Sequence, residues 1–130
     1  MAQPDAEILR TGYDAFARGD VPAVLAVFAD DIAFHVPGDN LVAGDYNGHQ
    51  ELVGFFEKLD ELSGGTFGVS VREIFDNAAG TVVALCSLEG ERNGQQRSFD
   101  TVQVWQFVDG KATSFREYND EQAALDEFWS

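Results

Sequence analysis

Apolar residues in the amino-terminal part of the chain recur at the spacing of one helix face. Leu9, Tyr13 and Phe16 fall four and three residues apart, which predicts a helix from about Asp5 to Arg18. Gly19 follows at once, and glycine commonly ends a helix because it adopts the left-handed conformation without strain. The chain therefore begins with an amphipathic helix.

A second, shorter helix is predicted directly afterwards. Asp20 is a preferred helix-capping residue, and Pro22 suits a first turn because its missing N–H has no partner there in any case. The residues expected to face inward from this helix are Val24, Leu25 and Phe28. Residues 31–37 are rich in strand-forming residues and predict a short strand, and residues 38–48 predict a long loop.

A third helix is predicted by another apolar stripe with the helical period. The stripe consists of Leu52, Phe55, Phe56, Leu59 and Leu62. Gly64 and Gly65 end it.

The pattern changes to a period of two after Gly65. The predicted strands are the alternating run from Phe67 to Val71 and residues 81–88, 98–108 and 111–118. Asn93-Gly94 and Asp109-Gly110 are strong two-residue hairpin turns between them. A last amphipathic stretch predicts one or two helical turns, with Ala124, Leu125, Phe128 and Trp129 as its apolar residues. We therefore expect residues 1–130 to form one α+β domain, with helices on one face of a curved antiparallel sheet.

Composition and charge narrow the function classes. Hydrophobic residues make up 45% of the 130 residues, which is typical of a globular protein. The 23 Asp and Glu residues outnumber 8 Lys and Arg residues, and the net charge of −15 would repel a phosphate backbone. Nucleic acid is therefore not an expected partner, and no apolar run approaches the roughly 20 residues that cross a bilayer.

The same residues give no indication of secretion, a metal or a cofactor. The first residues lack the basic and apolar regions of a secretory signal, and a single cysteine forms no internal disulfide, so a cytoplasmic location is expected. His35, His49 and Cys86 do not have the spacing of metal ligands. The glycines of the 38–48 loop do not form a phosphate-binding pattern.

Three segments carry a family resemblance. GDVPAVLAVFADDIAFHVPG (19–38), GHQELVGFFEKL (48–59) and DGKATSFREYND (109–120) resemble the SnoaL-like group of the nuclear transport factor 2-like, or ketosteroid isomerase-like, superfamily. The resemblance implies a cone in which a bent sheet wraps three helices around an apolar pocket, and a homodimer formed through the sheet. Members include isomerases, polyketide cyclases, epoxide hydrolases, dehydratases and proteins without catalysis, so the fold does not fix the chemistry.

The resemblance also assigns expectations to single positions. Val36 stands where the steroid isomerases have their general base, and Gln103 stands where they have the acid of the oxyanion hole. Their helix-one tyrosine falls within one residue of Tyr13. His35 stands where the epoxide hydrolases have an asparagine. Polyketide cyclases use an acidic residue on the last strand, which Glu117 or Asp120 matches, with Glu117 in the better register.

Glu117 and His35 are the candidate catalytic residues. Strand alternation places Glu117 on the face of Phe115 and Asn119, so a pocket there would desolvate its carboxyl and raise its pKa. The alternative is an ion pair of Glu117 with Arg116 or another cation at the rim. Alternation leaves the direction of His35 open: the epoxide hydrolase register favours the pocket, and the alternative is a structural histidine whose hydrogen bonds are satisfied near the strand end.

The candidate ligand-binding residues are expected around the same apolar pocket. Gln103 and Trp105 share a strand face and present an amide and an indole N–H, although Trp105 would equally serve as core. The remaining candidates are Tyr13, Phe16, Phe56, Cys86 and Asn119, of which Cys86 is expected as a small buried residue rather than a nucleophile.

The sequence thus predicts a cofactor-independent enzyme that acts on a small apolar carbonyl, hydroxyl or epoxide compound. Glu117 would move the proton while His35 and Gln103 polarise the reacting oxygen, in an isomerisation, a cyclisation or a water addition. Two alternatives remain: a binding or accessory protein that holds a metabolite unchanged, and an interaction module that pairs through its sheet.

Overall fold

The computed structural model describes residues 3–130. Its helices are α1 (Asp5–Ala17), α2 (Val21–Leu25), α3 (Gly48–Ser63) and α4 (Gln122–Phe128). Its strands are β1 (Phe28–Val36), β2 (Gly44–Asn47), β3 (Gly68–Asp76), β4 (Thr81–Arg92), β5 (Gln95–Val108) and β6 (Lys111–Asn119). The architecture is mixed α+β with a curved sheet, as the sequence predicted. The sheet is open and has six strands, one more than the sequence indicated, and one of its strand pairs is parallel rather than antiparallel.

The six strands follow the order β2-β1-β6-β5-β4-β3. All neighbouring pairs are antiparallel except β1 and β6, which run parallel. Both predicted hairpin turns are present: Asn93, Gly94, Asp109 and Gly110 all have positive φ, as a two-residue turn of this kind requires. The carboxyl-terminal strand β6 therefore lies in the middle of the sheet, between the longest strand and the first one.

The local signals for the helices lie where the pattern indicated. The Asp20 side chain accepts a hydrogen bond from the Ala23 backbone N–H at 3.2 Å and so begins α2. Gly64 ends α3 in the left-handed conformation, with φ of 62°. The helices cover one face of the sheet, and the hydrophobic core lies between the helices and the sheet.

Two sequence expectations were wrong about element boundaries. Phe28 is the first residue of β1 rather than an inward residue of α2, because the strand begins three residues earlier than expected. The 38–48 loop contains the short strand β2, which pairs with β1 through Phe34–Tyr46 and His35–Asp45. A four-residue strand with alternating burial and little apolar content leaves almost no periodic signal.

Candidate functional site

A cavity of about 90 Å³ lies between the helices and the inner face of the sheet. Ten of its 24 lining residues are aromatic: Tyr13, Phe16, Phe28, Phe34, Phe55, Phe56, Phe67, Trp105, Phe115 and Trp129. Phe34 and Phe115 are parallel-strand neighbours, and their rings stack with centroids 3.9 Å apart. A space of this size holds several water molecules or a ligand no larger than roughly one small ring.

Four of the lining side chains are polar, and one of these carries a carboxyl group. They are Tyr13, Asn40, Gln103 and Glu117. Glu117 lies on β6 two residues after Phe115, and strand alternation directs both side chains to the inner face. Only 7% of Glu117 is exposed. The carboxyl group is therefore held in a largely apolar chamber.

No cation compensates the Glu117 carboxylate among the described residues. The ion pairs found in residues 3–130 are formed by other residues, and Arg116, the alternative partner considered from the sequence, is exposed on the opposite face of β6. Burial raises the pKa of Glu117, and the hydrogen bonds from Asn119 and Gln103 offset part of this rise. A carboxyl with a raised pKa is suited to exchange protons closer to neutral pH.

A chain of hydrogen bonds leads to one oxygen of Glu117. The Trp105 indole N–H donates to the Tyr13 hydroxyl at 3.0 Å, and that hydroxyl donates to Gln103 Oε1 at 2.5 Å. The Gln103 amide N–H donates to Glu117 Oε1 at 3.1 Å. All donors in this chain point toward the carboxyl group, so the arrangement stabilises negative charge there.

A second chain connects the other oxygen of Glu117 to α4. Asn119 Nδ2 donates to Glu117 Oε2 at 3.1 Å and to Gln122 Oε1 at 2.9 Å. Gln122 Nε2 then donates to Asp126 Oδ1 at 2.8 Å, which also accepts from Asn40 Nδ2 at 2.7 Å. Polar groups thus run from the carboxyl group to the contact between α4 and the β1–β2 loop.

The electrostatics of the two acidic residues in this chain differ. Burial acts to raise the pKa of Asp126, but the hydrogen bonds from Asn40 and Gln122 outweigh it and hold the pKa below its usual range. Asp126 is therefore a stable anion at the surface, whereas Glu117 is the acidic group whose charge is disfavoured.

The structure brings most of the sequence candidates together. Tyr13, Phe16, Phe56, Gln103, Trp105 and Glu117 all line the cavity. Burial raises the pKa of Tyr13 well above its usual range, so its phenol is neutral and acts as a hydrogen-bond donor. Gln103 was expected to polarise a ligand oxygen, whereas its amide groups are engaged by Tyr13 and Glu117.

His35 was expected in the pocket, and the structure places it elsewhere. Phe34 and Val36 on either side of it line the cavity, so His35 projects from the opposite face of β1. Its Nδ1 lies 2.6 Å from Asp45 Oδ1 on the neighbouring strand β2. His35 is therefore not available to a ligand in the cavity, and the proposed role beside Glu117 was wrong.

Cys86 and Asn119 lie next to the site without lining the cavity. Cys86 is fully buried on β4, and its Sγ is 3.8 Å from both the Tyr13 hydroxyl and Gln103 Oε1. Burial raises the pKa of the Cys86 thiol to about 11, so it is not a thiolate nucleophile at neutral pH. Asn119 holds the Glu117 carboxyl instead of facing the cavity.

Sequence reasoning missed Asn40, Gln122 and Asp126. Asn40 stands in a loop, where its Oδ1 accepts from the Val42 and Ala43 backbone N–H groups and its Nδ2 reaches Asp126. An Asp-Asn pair after Pro37-Gly38 indicates a turn, but it does not show which side chain faces the cavity.

Residues 3–130 show neither a metal-binding cluster nor a membrane-spanning helix. These residues contain no group of three or more His, Cys, Asp or Glu side chains placed to hold a metal ion. The helices in this part of the chain are all too short or too polar to cross a membrane.

The sequence comparison defines the family. Residues 9–115 match the SnoaL-like domain, and this protein belongs to that family. An uncharacterized protein of Mycobacterium tuberculosis is 30% identical over 129 residues, which cover 97% of this chain and 96% of that protein.

Solved structures share the fold over almost the whole chain. Bal32a, from a soil-derived mobile gene cassette, superposes with a TM-score of 0.93 at 29% identity, covering 97% of this chain and 96% of Bal32a. TerC, co-crystallized with polyporic acid, has a TM-score of 0.86 at 24% identity, covering 97% of this chain and 98% of TerC. A candidate polyketide cyclase from Xanthomonas campestris has a TM-score of 0.75 at 20% identity, covering 97% and 96% of the two chains. Because TerC and the candidate cyclase are less than 25% identical to this chain, their similarity shows a shared fold only.

Proposed function

We propose that this protein is a cofactor-independent enzyme in which Glu117 transfers a proton to or from a small, largely apolar molecule. The reaction classes that fit are isomerisation, cyclisation and water addition. The observation that carries the proposal is the position of one buried carboxyl group, without a cation, on the wall of an aromatic cavity. Membership of a family with cyclase-like relatives supports a small-molecule substrate.

The geometry favours Glu117 over every other candidate for the proton-transfer step. Tyr13 and Cys86 are neutral and hold their protons too tightly for exchange near neutral pH, since burial raises the pKa of both. The amide groups of Gln103 and Asn119 orient the carboxyl through one hydrogen bond to each oxygen. Their role is positioning, and Glu117 is the group that gains or loses the proton.

The test compares the wild-type protein with Glu117→Gln on a mixture of small metabolites, followed by mass spectrometry. Because no cofactor takes part, substrate and product should have equal masses or differ by one water. We expect Glu117→Gln to reduce the conversion by roughly 100-fold or more. Glu121→Gln is the matched control, since Glu121 is an exposed carboxylate outside the cavity. Conversion that proceeds equally in both variants would eliminate Glu117 as the acid or base.

The binding and accessory alternative gives a different result in the same experiment. If the cavity only holds a metabolite, a small molecule will co-purify with the wild-type protein and no Glu117-dependent conversion will appear. That outcome would overturn the enzymatic proposal.

We also propose that two copies associate through the outer face of the sheet. Strand register places Phe75, Val83 and Val104 in one cross-strand row, and Leu85, Val102 and Tyr118 in the next. We call these six residues the outer apolar band. Phe75 and Tyr118 are each 54% exposed, which is unusual for large side chains of a monomer surface. A band of this kind pairs with itself across a two-fold axis.

A further inference from the structure

The cavity around Glu117 is small, and its described lining carries no positive charge. Among the described residues that line it, no Lys, Arg or His is present, and Glu117 is its one acidic member. A ligand that carried a negative charge would meet an apolar wall and a carboxyl group with no compensating cation. Binding of an anionic ligand next to an ionised Glu117 is therefore unfavourable on electrostatic grounds.

The hydrogen-bonding capacity that remains free in the site is chiefly that of an acceptor. The Trp105 N–H and the Tyr13 O–H are both used within the chain that ends at Glu117. Each Glu117 oxygen accepts one hydrogen bond from an amide and retains capacity for another. A ligand that donates a hydrogen bond is thus better matched than one that only accepts.

Three properties of the protein favour a donor with a positive charge. The buried carboxylate has no cation among the described residues, and a ligand that supplies one would remove the cost of its isolation. Ten aromatic residues line the cavity, and aromatic rings attract organic cations. The net charge of −15 concentrates cations around the protein.

We propose that the cavity binds a compact organic cation, a small apolar amine whose ammonium group lies against the Glu117 carboxylate. The cavity volume of about 90 Å³ limits the apolar part to roughly one small ring. This inference rests on the proposed function in one respect, which is that Glu117 faces the substrate. With a cation bound, Glu117 remains ionised and serves as a base rather than as an acid.

The test uses three ligands of equal size: cyclopentylamine, cyclopentanol and cyclopentanone. They present a cation, a neutral donor and a neutral acceptor on the same ring, and alkyl amines are protonated at pH 7. Binding to the wild-type protein, to Glu117→Gln and to Glu121→Gln is measured by titration calorimetry at physiological ionic strength, which screens the surface charges.

We expect the amine to bind the wild-type protein and Glu121→Gln at least roughly tenfold more tightly than the alcohol. Glu117→Gln should lose roughly tenfold or more of the amine affinity and keep its alcohol affinity within about twofold. Equal affinity for the three ligands, no binding of the amine, or amine binding that survives Glu117→Gln would each overturn the proposal.

A second measurement avoids dependence on the folding of the variant. A bound ammonium should lower the pKa of Glu117 in the wild-type protein, because a nearby positive charge favours the ionised carboxyl. A carboxyl-carbon NMR titration with and without saturating amine measures this change, and an unchanged pKa would overturn the ion pair. Glu117-dependent conversion with no preference for the amine would overturn this inference and leave the proposed function standing. Amine binding without Glu117-dependent conversion would support this inference and overturn the proposed function.

Discussion

Gln103 and Glu117 lie directly opposite each other on β5 and β6, and the amide of Gln103 donates a hydrogen bond to the carboxyl of Glu117 at 3.1 Å. The orientation of this amide is set on its other side, where Tyr13 donates to Gln103 Oε1. An amide group offers a donor on one side and an acceptor on the other. The Tyr13 hydroxyl therefore decides that Glu117 meets an N–H, which favours the ionised carboxyl, rather than a carbonyl oxygen.

The first prediction follows from that orientation. Tyr13→Phe removes the donor that fixes Gln103, so the amide is free to turn and present its oxygen to the carboxyl. We expect the pKa of Glu117 to increase further, because a carbonyl neighbour favours the protonated acid. The measurement is a carboxyl-carbon NMR titration, in which the Glu117 signal is assigned by its absence from Glu117→Gln. The unpaired Trp105 N–H should also destabilise the protein by about 1–3 kcal/mol.

Tyr46→Phe is the matched control for this substitution. The Tyr46 hydroxyl donates to the Val42 backbone carbonyl and has no contact with the chain that leads to Glu117. Tyr46→Phe should therefore leave the pKa of Glu117 at its wild-type value. An unchanged titration in Tyr13→Phe as well would show that Tyr13 does not set the orientation of Gln103.

The second prediction concerns stability and pH. Because burial raises the pKa of Glu117 in the folded state, the folded protein binds more protons than the unfolded chain in the interval between the two pKa values. The contribution of this group to stability is fully present below the unfolded pKa of about 4.3 and is lost as pH rises through the folded pKa.

Glu117→Gln removes this dependence. The free energy of unfolding of Glu117→Gln relative to wild type should increase with pH across that interval and become constant above it. Urea unfolding at a series of pH values measures the difference, with Glu121→Gln as the exposed control. A difference that does not vary with pH would mean that the carboxyl is not desolvated in the folded protein.

The sequence predicted most of the fold because apolar periodicity marks most of its helices and strands. The apolar spacing around Leu9 and along α3 predicted those two helices, and Asn93-Gly94 and Asp109-Gly110 predicted the hairpins. Each of these signals lies within the element that it predicts. The parallel pairing of β1 with β6 leaves no local signal, because the two strands are separated by most of the chain. The short strand β2 was missed for a different reason: four residues are too few to define a period.

The site was predictable only where alternation fixes a direction. Glu117 shares its face with Phe115, so one buried neighbour was enough to place it. Alternation alone left the direction of His35 open and the epoxide hydrolase register indicated the pocket, whereas the buried side chains of Phe34 and Val36 fix the opposite face of β1 as the inner one. The contacts of Asn40 with Asp126 join a loop to the last helix, and no spacing rule connects residues so far apart.

The third prediction concerns the attachment of α4. Asp126 accepts hydrogen bonds from Asn40 and Gln122, and the Leu41 backbone N–H donates to the Trp129 carbonyl at 3.1 Å. Asp126→Ala should destabilise the protein by about 0.5–1 kcal/mol, a modest cost because solvent screens this pair. A double-mutant cycle with Asn40→Ala measures the coupling by denaturant unfolding. Fully additive effects would show that Asn40 and Asp126 do not interact in solution.

The last prediction tests association through the outer apolar band. Val102 lies within the band, paired with Leu85 on one side and Tyr118 on the other. In a dimer formed through the band, Val102→Glu would bury a carboxylate whose two cross-strand neighbours are uncharged, so dissociation should be favoured by roughly tenfold or more. Gln106→Glu adds the same charge to the same face of β5 outside the band and should leave association unchanged. Sedimentation equilibrium gives the oligomeric state, and circular dichroism checks that both variants fold. A monomeric wild-type protein, or a dimer that Val102→Glu leaves intact, would place association elsewhere or remove it.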